Sequence, residues 1–279
     1  MKLKEIFYGL GLRPSAREYP FELTTFRLAI DGDVEFALWQ HPSARRRAAV
    51  GQGVRLTQPM VDSIRAFVRP GDVAIDIGAH TGDSTVPIAL AVGSTGAVFA
   101  LEPNKFAYKV LLANSALNKT KTNIVPLNFA ATPEDGKFEF EYSDPGFCNG
   151  GLHQNIGAWR HAHFFKLPVI GKNIPAYLTT HFPDEAKRVR YIKIDTEGLD
   201  RAVAASLRTL IETARPYIKT EMYKHTPEGE RIGYFRDLRG LGYTMFKVES
   251  EETDYRGILL DETDLMKWSH FDVFAVPEP

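Results

Sequence analysis

The stretch from residue 72 to residue 90, DVAIDIGAHTGDSTVPIAL, constrains the fold of this chain more than any other. An apolar run rich in Ile and Val breaks at Gly78 and Gly82, and a second, longer apolar pattern follows. The short β-branched run reads as a buried strand and the longer one as a helix. Glycines between them let the backbone turn sharply and pass close to a ligand. The same rhythm recurs downstream. Strands are expected over 73–78, 97–101, 123–129, 191–195 and 216–222, with helices over 83–92, 105–117, 199–214 and 228–239. Strands over 243–248 and 271–276 close the sheet. The pattern predicts an α/β fold with a doubly wound, mostly parallel sheet and an antiparallel final strand.

Upstream, TTFRLAIDGDVEFALW alternates apolar and polar residues around DGD, which predicts a β-hairpin. HPSARRRAAVGQG then reads as a solvated polar turn, with phosphate binding by Arg45–Arg47 as the alternative. From Pro59, PMVDSIRAFV suits a helix that stops at Arg69-Pro70-Gly71. The expected organisation is an N-terminal extension over 1–53 and one domain over 54–279. The domain is interrupted over about 131–190 by an irregular, lid-like insertion that shapes a binding site.

Composition excludes several classes. Basic and acidic residues nearly cancel, 34 against 35, so no global positive field favours nucleic acid. One cysteine, Cys148, allows no intrachain disulfide. Its unremarkable reading is a buried residue, with a reactive thiol as the alternative. No apolar run approaches the roughly 20 residues that span a bilayer. The opening MKLKEIFYGLGL is too weakly apolar for a signal peptide, so a cytoplasmic location is expected.

In an open α/β sheet, ligands bind beyond the carboxyl ends of the strands. The loop DIGAHTG lies at such an end, and its spacing matches neither a dinucleotide fingerprint nor a P-loop. Asp76, two residues ahead of the first glycine, would repel a pyrophosphate but suits an ammonium. Glu102, ending the next strand in FALEPN, is placed to accept hydrogen bonds from a ribose diol. A ligand joining ribose to a cationic amino-acid tail is S-adenosylmethionine, whose carboxylate can use free N–H groups near Gly82–Ser84. The expected cofactor contacts are Asp76, Gly78, Ala79, His80, Thr81, Gly82, Asp83 and Ser84 on the loop. Glu102, Pro103 and Asn104 follow the second strand, and Asn128 and Phe129 end the third, beside the adenine. Asp83 has a second reading, as the N-cap of the following helix.

Seven segments together resemble the FkbM family of S-adenosylmethionine-dependent methyltransferases. They are RPGDVAIDIGAHTGDST, VFALEPN, NSALN, AATPEDGKFEF, YIKIDTEGLD, ARPYIKTEM and HFDVFAVP, in the family's order. The resemblance implies a class I methyltransferase fold and O-methylation of hydroxyls on sugars, glycans or other small secondary metabolites. YLTTHFPDE stands where the family carries a TLDD-like segment, and CNGGLHQNIGAWRHAHFF has no counterpart.

A hydroxyl acceptor calls for a general base near the cofactor loop. Alternation in YIKID puts Ile192 and Ile194 on one side of a strand and Lys193 and Asp195 on the other. Lys193, inside a parallel strand, needs a carboxylate partner. Asp195 and Glu197 are the candidate bases, and His153 in the insertion is a further one. Lys219 and Glu221 share a face of the next strand, and a structural ion pair between Lys193 and Glu221 is the plain alternative to a catalytic role for either. Asp195, Glu197 and Glu221 offer the oxygen ligands Mg2+ takes, but the motif shows no octahedral set, so no metal is expected. Trp159, Phe164 and Phe165 could stack on a sugar, and His161 and His163 fall short of a zinc set. A nucleic-acid methyltransferase, for which the chain lacks a [DN]PP[YF] motif, and a non-catalytic cofactor-binding module are the alternatives.

Overall fold

A computed structural model of the chain describes residues 10–12, 14–142, 144–148, 150–151 and 165–279. The hairpin forms as expected, β1 (Phe21–Leu28) pairing antiparallel with β2 (Gly32–Trp39). The next segment is not a turn. It folds as helix α1 (Pro42–Ala49). The arginine run hid this because it has no apolar periodicity, yet Ala and Arg are among the best helix formers. Pro42 sits at the start, where a missing N–H costs nothing. His41 caps the helix, its Nδ1 accepting from the Ser43 N–H at 3.0 Å.

Helix α2 (Gln58–Arg65) leads into the repeating core. β3 (Val73–Ile77), α3 (Thr85–Val92), β4 (Ala97–Leu101), α4 (Lys105–Ala116) and β5 (Ile124–Leu127) form its first half. Short β6 (Ala130–Ala131), then β7 (Gly136–Tyr142), β8 (Gly150–Gly151) and β9 (Phe165–Lys172) make a second sheet in the order β6-β9-β7-β8. The insertion is therefore more regular than its sequence suggests. β9 buries alternate residues Phe165, Leu167 and Val169, a period that Pro168 and Gly171 disguise. Helices α5 (Ile174–His181) and α6 (Pro183–Ala186) return the chain to β10 (Val189–Ile194).

The expected helix over 199–214 divides into α7 (Asp200–Ser206) and α8 (Arg208–Ala214) around Leu207, which is fully buried. β11 (Tyr217–Met222), α9 (Glu228–Gly240), β12 (Tyr243–Lys247), β13 (Ile258–Leu259) and β14 (Phe271–Pro277) complete the chain. The main sheet runs β13-β12-β14-β11-β10-β3-β4-β5. β14 lies antiparallel between β11 and β12, while β10, β11, β3, β4 and β5 are parallel.

Both faces of the sheet are packed. Ile75, Phe99, Ile192 and Ile218 meet α5 and α7–α9 on one side. Ala74, Val98, Tyr191 and Phe274 meet α2, α3 and the hairpin on the other. Among the described residues, no helix is long and apolar enough to cross a membrane.

Candidate active site

The carboxyl ends of β3, β4 and β10 open into one cavity of about 1040 Å³. Gly78, just past β3, has φ +82°, and a Cβ there would stand 1.9 Å from the Asp195 carbonyl oxygen. Only glycine lets the loop pass so close to the end of β10, so this contact sets the spacing between the loop and the β10 acids.

Glu102 faces the cavity at the end of β4 and is 7% exposed. One carboxylate oxygen accepts the His80 N–H at 2.9 Å and the other the Asn104 N–H at 2.7 Å. Each oxygen retains capacity for a further donor. Burial raises the Glu102 pKa, against the pull of His80 and the two backbone N–H groups. His80 has φ +48°, and its Nε2 lies 3.1 Å from the Cys148 carbonyl oxygen. Gly78, Asp83, Ser84, Pro103 and Phe129 also line the cavity.

Other expected contacts lie behind this surface. Ala79 and Thr81 are buried beneath the loop, and the Cβ direction of Gly82 points at Leu111 of α4. Asn128 donates to the Glu102 carbonyl oxygen at 2.8 Å and staples the loop after β4. Asp76 differs most from expectation. It is fully buried, accepting from Ser84 Oγ at 2.8 Å and Thr85 Oγ1 at 2.6 Å. Its other oxygen faces Lys193 Nζ at 3.5 Å. Asp76 is thus paired with a cation inside the protein, although that second oxygen has no hydrogen-bond partner, and Asp83 is the loop carboxylate that lines the cavity. Nor does Asp83 cap the helix. Ser84 holds the N-cap position without a side-chain cap bond, its hydroxyl being given to Asp76.

Register places Asp76 beside Lys193 and Lys193 beside Lys219 across β3, β10 and β11. Lys193 pairs with Asp195 at 3.1 Å as well as with Asp76, not with Glu221. Burial would lower the lysine's pKa, but the two carboxylates outweigh it and keep the ammonium charged. Burial likewise would raise Asp195, and Lys193 holds it below the usual carboxylate range. Lys219 is held by Glu251 and by Asp272 at 2.9 Å.

Glu197 follows on a left-handed turn, with φ +55° before Gly198 at φ +104°. Such a conformation is strained for a non-glycine residue and persists only when its surroundings fix it. Asp200 does so, accepting from Thr196 Oγ1 at 3.0 Å and the Gly198 N–H at 3.3 Å. Asp195, Thr196 and Glu197 all line the cavity, and Glu197 forms no ion pair among the described residues. Burial first, then the neighbouring Glu197 carboxylate, pushes the Tyr223 phenol up.

Glu221 lies outside the cavity lining. One of its oxygens is 3.3 Å from His270 Nε2, and the other is buried with no hydrogen-bond partner. Burial, reinforced by Asp195 and Asp200, raises its pKa to about 9. Among the described residues, Asp195, Glu197 and Glu221 do not gather into a metal-holding cluster. His153, Trp159, His161, His163 and Phe164 lie outside the described residues. Phe165 packs in the second sheet beside Phe147.

Two further parts of the cavity come from segments whose plain readings are a buried residue and a solvated turn, with a reactive thiol and phosphate binding as their alternatives. Cys148 lines the cavity next to Glu102 and His80. Burial would raise the thiol, but His41 and His80 bring it down to about 6. The other part is α1, whose Arg45 and Arg47 line the cavity. The clue was present in the Pro-Ser-Ala-Arg start, a helix-entry pattern that the charge run obscured.

A parallel core with one antiparallel strand between its last two, and a ligand-sized cavity over the first strand ends, define a class I S-adenosylmethionine-dependent methyltransferase. The family model for the methyltransferase FkbM domain matches residues 76–247, and the chain belongs to that family. No curated protein matches the chain. Among solved structures, it is similar to FkbM methyltransferase from Methylobacillus flagellatus KT, with 14% identity and a TM-score of 0.45. That match covers 78% of this chain and 51% of the other, about half of a longer protein. It is also similar to an S-adenosylmethionine-dependent O-methyltransferase from Thermotoga maritima, with 15% identity and a TM-score of 0.42, over 92% of this chain and 78% of that one. A protein described as a candidate rRNA methylase from Clostridium thermocellum matches at 12% identity and a TM-score of 0.45, over 78% and 94%.

Proposed function

We propose that the protein transfers a methyl group to a hydroxyl of a sugar, glycan or other small metabolite, with Glu197 as general base. The observation carrying this reading is that two carboxylates from different strand ends, Glu102 and Glu197, face one cavity. The residues fit the cofactor. Glu102 is buried, and each of its oxygens holds one backbone donor with room for a hydroxyl. Asp83 stands where an ammonium would approach, and Phe129 offers an apolar edge for the adenine.

When bound, S-adenosylmethionine supplies a methyl group on a sulfonium, which the acceptor oxygen takes by in-line displacement. The chain's residues do the remaining work. The Glu102 and loop contacts orient the donor, and the walls fix the acceptor oxygen on the line of attack, which can contribute many orders of magnitude. Glu197 accepts the hydroxyl proton. Asp195 suits that role less well, because Lys193 stabilises its charge and weakens it as a base. Its part is to keep Lys193 charged and the end of β10 in place.

The test is labelled methyl transfer into a panel of sugars and glycans. Glu197→Gln should lower turnover about 10²-fold or more, with S-adenosylhomocysteine affinity little changed, and Asp195→Asn should lower it less. Full turnover in Glu197→Gln would remove it as the base.

A further inference from the structure

The cavity lining carries both signs of charge. The strand ends and the loops after them contribute Asp83, Glu102, Asp195 and Glu197, which suit a donor with an ammonium and a sulfonium, and the lysines there, Lys193 and Lys219, are each paired with two carboxylates. α1 and the loop after it contribute Arg45, Arg47, Gln52 and Arg55, with Glu22 of β1 also in the lining. The methyl donor does not account for the arginines of that part. Its one carboxylate belongs at the loop and start of α3, and its cationic centre gains nothing from arginines.

Nor does core packing of α1 account for them. No residue of α1 is buried, so the helix adds nothing to the core. It has no acidic residue in its first turn, and Arg45 makes no ion pair among the described residues. Arg55 is tied to Glu252 at 2.6 Å. Arg46, between the two cavity arginines, is absent from the cavity wall and donates to Ser43 Oγ at 3.2 Å. The helix is nevertheless anchored where it begins. Its cap His41 is 3% exposed and meets Asp144 at 3.0 Å, joining α1 to the segment that carries Cys148. A helix with no buried residue, fixed at one end and with two of its three arginines lining a cavity, has the form of a ligand-binding cap.

We propose that α1 is an anion-binding cap and that the acceptor methylated here is a small molecule carrying a phosphate or diphosphate. Guanidinium groups match phosphate oxygens in a two-pronged geometry, and two from one helix suit a multiply charged group. The phosphate would sit against α1 while the hydroxyl to be methylated reaches the acidic edge at Glu197. A cavity of about 1040 Å³ has room for a nucleoside-sized donor and a phosphorylated sugar side by side. The inference deepens the proposed hydroxyl methylation by naming the acceptor's charge, and it rests on that reading.

The test is calorimetric titration of inorganic pyrophosphate into the full chain saturated with S-adenosylhomocysteine. Glucuronate and a short oligouridylate are titrated in parallel. Pyrophosphate should bind, at least tenfold more weakly to the Arg45→Ala/Arg47→Ala variant and with less than twofold change in Arg46→Ala. The variants' S-adenosylhomocysteine affinity should stay within twofold of the unaltered chain. Absent binding, or equal weakening by Arg46→Ala, would overturn the cap. Tighter binding of glucuronate would move the acceptor to a sugar acid, and tighter oligouridylate binding to a nucleic acid; either would overturn the phosphate assignment. Failure of S-adenosylhomocysteine to bind, with pyrophosphate binding still dependent on Arg45 and Arg47, would count against methyl transfer and leave the anion site standing.

Discussion

Two carboxylates close to the ends of neighbouring strands, Asp195 after β10 and Glu221 in β11, meet opposite fates. Asp195 lies at the cavity with its side chain 43% exposed and Lys193 at 3.1 Å, and it is held below the usual carboxylate range. Glu221 has only a histidine at 3.3 Å and a buried oxygen without a donor, and its pKa rises to about 9. Both stand near strand ends, but Asp195 has a cation beside it and a side chain 43% exposed, whereas Glu221 has no such cation and is 12% exposed. Desolvation penalises each charge, and only a partner inside the same dry region offsets it. The row Asp76, Lys193, Asp195 is therefore an ion-paired unit, with Lys193 and Asp195 in the cavity lining and Asp76 buried behind them. The Glu221 corner is a neutral carboxyl at physiological pH, beside the site but outside its lining.

The sharpest way to break the contrast is to remove the cation. Lys193→Met should leave Asp76 buried and unpaired and destabilise the protein by about 3–5 kcal/mol, as breaking buried pairs does. Chemical denaturation would measure it. Asp195 should then titrate upward, as Glu221 does. A loss near zero would mean that Asp76 finds another donor and that the row is not an ionic unit.

A smaller effect comes from the opposite corner. The folded pKa of Glu221, about 9, lies above its ordinary value of 4.5. The folded state therefore binds this proton more tightly, and the associated stability is full below pH 4.5 and is lost as pH rises towards 9. Glu221→Gln should raise Tm at pH 8.5 by several degrees, at about 2–4 °C per kcal/mol. It should change Tm little at pH 4.5. A Tm gain that is the same at both pH values would show that Glu221 ionises normally in the folded protein.

Much of this was legible from residues alone. Gly78 and Gly82, set between a β-branched run and a longer apolar one, announced the strand, turn and helix that begin the site. Glu102 was legible because a strand end followed by Pro-Asn can only present its last side chain at the sheet edge. The partner of Asp76 was not. Nothing local to DIGAHTG says that Lys193 stands opposite it, because that depends on register between strands more than a hundred residues apart. Helix α1 was hidden for a different reason: the apolar period that marks helices comes from core packing, and α1 packs on no core. The insertion's second sheet was half visible in GKFEFEY, whereas its partner β9 carries Pro168 and Gly171 inside the strand.

The account depends most on Glu102 as the anchor of the donor's ribose. The direct measurement is calorimetry of S-adenosylhomocysteine with the unaltered chain and with Glu102→Ala, with NAD as a comparison ligand. Losing two hydrogen bonds to a charged acceptor, each worth about 1.5–3 kcal/mol, should weaken binding on the order of 10²-fold or more. NAD should not bind measurably to either form. Equal affinity of S-adenosylhomocysteine for both proteins would contradict the account.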